Sequence, residues 1–246
     1  MFRYPWNGSF FDDWSDEVAW LLGIIWSDGY LDRGNRVSVC SKDRDLIDCI
    51  AHLISQQNGV RPKNGGRHWS IGFSSPHAAD RLRSLGLMTA KSHIIAWPNE
   101  LPEAHEAAFV RGLIDGDGSV LLSKRRPGQQ CPDLRVSLCS ASEELMNGFL
   151  DWCSRNGLAA QHYVRGSFHT ALIMQQASLR ALYALLYPAP DVPCLARKRE
   201  KYDAWIAIPR APAGRPRADS RTPRSERAAA PSPPSPRPSE GEEPTS

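Results

Sequence analysis

Residues Phe109–Gly118 read F-V-R-G-L-I-D-G-D-G, an apolar helical run with a glycine in its middle that closes on Asp-Gly. A looser copy, W-L-L-G-I-I-W-S-D-G, stands 89 residues upstream at Trp20–Gly29. The similarity continues past each copy. Residues 36–41 read R-V-S-V-C-S and residues 135–140 read R-V-S-L-C-S, now 99 apart because the second half has the longer connection Lys124–Asp133. Two related halves, each presenting one carboxylate at a helix end (Asp28 and Asp117), predict a two-fold site built from a single chain.

Working outward, Asp16-Glu17 put acids at the positive end of a helix dipole and predict a helix to about Trp26. A hairpin over 30–40 follows, turning at Asp32-Arg33-Gly34-Asn35, with Val37 and Val39 on one face and Arg36, Ser38 and Cys40 on the other. Leu46, Ile47, Ile50, Leu53 and Ile54 recur at helical period over 43–57. A second hairpin over about 59–74 turns at Asn64-Gly65-Gly66, and a helix runs from Pro76 to about Leu85. The second half repeats this order: a helix over 104–116, strands at 119–124 and 134–140, a helix over 142–155 begun by Ser142 with Glu143 and Glu144, strands at 159–164 and 168–174, and a helix over 176–186. The expected fold class is α+β: duplicated α-β-β-α-β-β-α halves with pseudo-two-fold symmetry and antiparallel sheets, divided at 1–100 and 101–209. From Arg210 onward nine prolines and six serines fall in 37 residues with almost no large apolar side chains. Such a tail, 210–246, cannot bury enough surface to offset its ordering entropy and is expected to be disordered.

The 246 residues are 41% hydrophobic, enough for one sizeable core or two small ones. Cys40, Cys49, Cys131, Cys139, Cys153 and Cys194 form no C-x-x-C pair, and no histidine pair has zinc spacing. No signal peptide and no apolar run near membrane-spanning length is present, so a reducing, cytosolic setting without membrane contact is expected. A calcium loop begun at Asp115 fails because its twelfth position is Arg126.

The paired helix-end motifs resemble those of LAGLIDADG homing endonucleases. Leu21–Gly29 and Val110–Gly118 lie position by position on that family's nine-letter motif, with Trp26 where the motif's first Asp stands. The resemblance covers about residues 17–205. It implies a site-specific double-stranded DNA endonuclease acting as a monomer, its two sheets forming a DNA-binding saddle. The metal ligands would be the motif's eighth-position acids, Asp28 and Asp117. It implies Mg²⁺ or another divalent cation, basic assistance from Lys91 and Lys198, and a solvent-organising polar group near Asp43 and Ser142. The alternative on the same fold is a noncleaving DNA binder or an RNA-splicing cofactor with intron RNA as partner. A third reading, an unrelated metal hydrolase with Asp115 and Asp117 as local ligands, makes Asp28 dispensable. The chain starts with Met and lacks an initiating Cys, so a freestanding protein is expected rather than an intein.

The chemistry suits the residues. Phosphodiester hydrolysis needs an activated water and stabilised charge on the phosphoryl and leaving oxygens, which divalent metals on carboxylates supply. Gly23 and Ser27, and Gly112 and Gly116, are spaced four apart, so each helix carries two small residues on one face and the two helices can approach closely. Net charge is only +3, so DNA affinity must come from clustering, as at Arg61-Pro62-Lys63, Lys124-Arg125-Arg126 and Arg197-Lys198-Arg199. Outward strand and turn residues are the expected readout set. In the first half these are Arg33, Asn35, Arg36, Ser38, Lys63, Arg67 and His68. In the second they are Lys124, Arg126, Gln129, Gln130, Arg135, Ser137, His162, Arg165 and His169.

Overall fold

The computed structural model describes residues 6–123 and 132–208. The readout candidates Lys124, Arg126, Gln129 and Gln130 and the tail 210–246 lie outside the described residues.

The first half runs α1 (Asp16–Asp28), β1 (Gly29–Leu31), β2 (Arg36–Ser41), α2 (Arg44–Leu53), β3 (Arg61–Lys63), β4 (His68–Ser74) and α3 (Pro76–Ser84). The second runs α4 (Glu106–Gly116), β5 (Gly118–Leu122), β6 (Leu134–Ser140), α5 (Glu143–Arg155), β7 (Ala160–Arg165), β8 (Phe168–Ile173) and α6 (Gln176–Leu186). One helix was not foreseen: α7 (Ala196–Ile206) has no counterpart in the first half. Each half contains a four-stranded antiparallel sheet, in the orders β1-β2-β4-β3 and β5-β6-β8-β7.

Local chemistry sets the element ends. Ser15, Ser75 and Ser142 accept the backbone N–H three residues on (Val18, Ala78 and Leu145), each satisfying an orphan donor of the first helical turn. At the other end, the strand starts directly where the motif helix stops. A Cβ on Gly29 would lie 2.6 Å from the Ile25 Cα, and one on Gly118 2.6 Å from the Ile114 Cα. Both Asp-Gly pairs are therefore required by the tight helix-to-strand reversal that presents each Asp.

In β2, Val37 and Val39 are buried while Arg36 and Cys40 are exposed; in β6, Val136 and Leu138 are buried while Arg135 is exposed. The helices cover the buried face of each sheet and leave the other open. Every residue of α1 from Val18 to Trp26 is buried, as is every residue of α4 from Ala108 to Asp115. A helix buried on all sides must be enclosed by other elements on all sides. These two achieve it by packing on their own sheets and on each other.

Candidate functional site: paired carboxylates at the α1–α4 ends

Helices α1 and α4 touch backbone to backbone. A Cβ on Gly23 would strike the Phe109 carbonyl oxygen and come within 2.9 Å of the Gly112 Cα. One on Gly112 would strike the Trp20 carbonyl oxygen and come within 2.9 Å of the Gly23 Cα. Four residues on, a Cβ at Gly116 would overlap the Ser27 hydroxyl, which donates back to the Gly23 carbonyl at 3.0 Å. The four small residues thus form one reciprocal contact along the helix pair. It delivers Asp28 and Asp117 to the same end, with the Asp28 carboxylate 3.4 Å from the Cβ position of Gly116.

The two acids feel each other. Partial desolvation, and then the charge of Asp117, raise the Asp28 pKa from 3.8 to about 6, while Lys198 and Lys91 pull it down. Asp117 is raised chiefly by desolvation and lowered by the same two lysines. Both acids nevertheless remain open to solvent.

Lys91 and Lys198 occupy equivalent places, although they stand 63 and 81 residues from their respective acids. The Lys91 ammonium donates to the Trp26 and Ser27 carbonyls at 2.6 Å each. The Lys198 ammonium donates to those of Ile114 at 2.6 Å, Asp115 at 2.8 Å, Gly116 at 3.3 Å and Gly118 at 2.7 Å. Each lysine therefore neutralises the negative end of one motif helix beside its acid. Burial lowers both lysines, Lys198 to about 8. Lys91 sits in a 3-10 turn (Lys91–His93) and Lys198 in the first turn of α7, so different chain routes reach equivalent helix-end carbonyls in the two halves.

Three motif residues whose roles the sequence left open hold those routes in place. The Arg111 guanidinium, 1% exposed, donates to the Pro193 carbonyl at 2.9 Å and the Leu186 carbonyl at 2.7 Å. Asp115, 2% exposed, accepts the Trp20 indole N–H at 2.9 Å and the Leu195 amide at 3.0 Å through one oxygen, fixing the residue that opens α7. In the first half Trp26 stands at the position of Asp115, and its indole N–H donates to the Ala96 carbonyl at 2.9 Å. A donor to one loop replaces an acceptor from the other, which accounts for Trp in place of the motif's first Asp. Committed to Trp20 and Leu195 and shut off from solvent, Asp115 is badly placed to act as a local metal ligand with Asp117.

Asp43 and Ser142, matched in sequence, differ in setting. Asp43 accepts two bonds from the Arg197 guanidinium, at 2.7 and 2.8 Å, which hold its carboxyl below the usual range and tie α2 to α7. Ser142 is fully buried and donates to the Ile95 carbonyl at 2.5 Å, so it cannot organise solvent.

Strand register sorts the readout candidates. Directly paired residues share a face, so Arg36, Ser38, Lys63 and His68 lie on the open side of the first sheet, and Arg135, Ser137 and Arg165 on that of the second. Arg33 and Arg67 are in the adjoining turns. Asn35 has a left-handed backbone (φ 62°), and its amide oxygen accepts from Arg83 at 2.6 Å, which marks it as a turn-forming residue. His162 and His169 depart from expectation. His162 pairs with buried Ala171 and His169 lies two residues before it, so both fall on the opposite face, stacked at 5.4 Å. The eight described strands contain five Arg or Lys and no Asp or Glu, so the sheets carry a net positive charge in a nearly neutral chain.

No group of three or more His, Cys, Asp or Glu side chains that could hold a metal ion occurs among the described residues. Among those residues no helix is long and apolar enough to cross a membrane.

Residues 104–186 match the sequence model of the LAGLIDADG-like domain. Several solved structures share the fold at low sequence identity. The meganuclease I-SmaMI bound to uncleavable DNA aligns with a TM-score of 0.52 and 12% identity over 78% of this chain and 90% of its own. An I-DmoI variant in complex with its nicked target DNA in the presence of Mn aligns at 0.50 and 15% over 71% and 97%. Full-length DUF199/WhiA from Thermatoga maritima aligns at 0.52 and 13% over 80% and 61%. No curated protein matches the chain.

Proposed function

We propose, from the premise that this is a two-copy LAGLIDADG-fold chain whose second half is a LAGLIDADG-like domain, that it is a monomeric, metal-dependent homing-type endonuclease. It would cut double-stranded DNA, with residues 1–100 and 101–209 each engaging half of one continuous site. The observation that carries the reading is the convergence of Asp28 and Asp117 at one end of a glycine-tight helix pair, where desolvation first and then the charge of Asp117 raise Asp28 to about 6. Two like charges held together in this way favour a shared divalent cation. Mg²⁺ suits such a pair because it takes one or two carboxylates and keeps several waters for substrate oxygens. When bound, the metal would stabilise phosphoryl charge and lower the pKa of an attacking water.

The chain's own groups would do the rest. Lys91 and Lys198 hold the motif helices by their last carbonyls and fix the direction of the two acids. Their ammonium groups also keep both carboxylates ionised near neutral pH by lowering their pKa values. The acid-free strands would meet the phosphate backbone and the major groove, which admits a two-stranded ribbon. That I-SmaMI and I-DmoI were solved on DNA, one in the presence of Mn, supports this choice of ligand and cation. The alternative, a noncleaving DNA binder or a splicing cofactor on intron RNA, would use the same faces without needing both acids.

The test is selection of cleaved duplexes from a randomised library by the full chain, with Mg²⁺ or with chelator. Enrichment of one site, cut on both strands only with metal, is expected. Tight binding of a selected site with no strand cut in Mg²⁺ or Mn²⁺ would establish the noncleaving alternative.

A further inference from the structure

Both halves carry their readout residues on matched strand positions, yet the chemistry at those positions differs. Register aligns Ser38 with Ser137 and their partners Gly72 with Leu172. Continuing outward, Arg61 of β3 matches Tyr163 of β7, and His68 of β4 matches Phe168 of β8. On the edge strand β5, Leu121 pairs with Arg135 where Asp32 meets Arg36 in the first half. Leu121, Tyr163 and Phe168 are 54%, 51% and 55% exposed on the open face, an unusual setting for large apolar side chains.

The surroundings name the occupant. On that face Arg135 and Arg165 are the charges borne by the strands, Asp133 continues β6 just beyond Arg135, and no acid lies within any described strand. The Tyr163 hydroxyl donates to the Gln161 amide oxygen at 2.6 Å, orienting the glutamine beside it. Arg135 beside Leu121 and Arg165 beside Phe168 set cations next to exposed apolar groups, which complements a polyanion with apolar groups in its groove. In duplex DNA that group is the thymine 5-methyl, which projects into the major groove where apolar side chains read it, and glutamine is the usual partner of the adenine opposite.

We infer that the second half reads an A·T-rich half-site through thymine methyl groups on Leu121, Tyr163 and Phe168. The first half, with Asp32, Arg61 and His68 in those places and Tyr30, 60% exposed opposite Ser38, as an aromatic on its open face, reads its own half-site mainly by polar contacts. Gly72 contributes to the difference: a Cβ there would lie 2.9 Å from Arg36 Nε, so the glycine lets Arg36 lie flat across the sheet, whereas Leu172 fills the matched space. The inference rests on the DNA-binding reading above.

The test uses the full chain and two short synthetic duplexes, alternating A·T and its counterpart with deoxyuridine for thymine, which lacks only the methyl. Competition binding at low salt should favour the thymine duplex by about fourfold for each methyl buried. Phe168→Ser and Leu121→Ser should each reduce that ratio, whereas Lys63→Ser should weaken both duplexes alike. Equal binding of the two duplexes, with salt-dependent DNA binding intact, would overturn this inference alone. Discrimination lost in Lys63→Ser but kept in Phe168→Ser would also overturn it. Binding to neither duplex at any salt would overturn it together with the DNA-binding reading.

Discussion

Gly112→Ala adds one methyl at the closest point of the helix pair. That carbon would strike the Trp20 carbonyl oxygen, lie 2.9 Å from the Gly23 Cα and 3.0 Å from the Ile24 amide nitrogen. All three are backbone atoms of a fully buried helix, so no side chain can rotate away; α1 and α4 must separate. Overpacking typically costs about 1–3 kcal/mol, and a backbone clash belongs at the upper end. Replacing a helical glycine by alanine returns about 1 kcal/mol of propensity. The net expectation is a loss of about 2 kcal/mol in urea unfolding with an unchanged slope. Gly8→Ala, where nothing lies within 4 Å, should change stability by about 0.5 kcal/mol or less. Separating the helices also moves Asp28 from Asp117, so metal-dependent cleavage should fall even at temperatures where the variant is fully folded. A Gly112→Ala protein as stable as the parent would refute the close-contact reasoning.

Three further expectations follow from the same residues. Lys198→Met leaves the carbonyls of Ile114, Asp115, Gly116 and Gly118 without their shared donor; it should cost about 2–4 kcal/mol by chemical denaturation and abolish cleavage. Trp20→Phe removes one of the two donors to the buried Asp115 oxygen and should cost about 1–3 kcal/mol, with little change in DNA affinity. In the metal-free protein the Asp28 carboxyl should titrate near 6 by carbon-13 NMR. Because its folded pKa is raised, its ionisation disfavours the metal-free fold as pH rises from about 4 to about 6. Divalent-metal affinity should run the other way, full above about 6 and falling as pH drops through that value; affinity flat from pH 5 to 8 would contradict it.

The repeat made most of this architecture legible. Two motif copies followed by matched strands point to Asp28, Asp117 and the four small residues of the helix contact, because periodicity and turn chemistry act locally and are written twice. Helix α7 escaped notice because A-R-K-R-E-K-Y-D-A-W-I is dominated by charge. Its buried face is Lys198, Tyr202 and Trp205, and a lysine that caps another helix does not count as apolar in any periodic pattern. Arg111 and Asp115 look on sequence like ordinary charged residues one helical turn apart; the Leu186–Leu195 segment folding over them gives Arg111 its two carbonyl partners and Asp115 the Leu195 amide, and Trp20 of α1 gives Asp115 its second donor. His162 and His169 lie on the face opposite Arg135 and Arg165; a strand's side chains alternate, and with no acid or apolar run in β7 nothing in the sequence fixes that parity. Asp43 and Ser142 matched in sequence but not in setting, since Arg197 reaches one and the Ile95 carbonyl takes the other.

The central claim is that Asp28 and Asp117 act as one site. Asp28→Asn and Asp117→Asn each remove a charge with almost no change in volume, so fold and DNA affinity should persist in both. The decisive measurement is the yield of double-strand breaks on a selected site in Mg²⁺, at protein concentrations giving equal occupancy. Loss of double-strand cleavage in each single variant, with the melting temperature retained, is the expected result. Undiminished double-strand cleavage by Asp28→Asn would contradict the shared site.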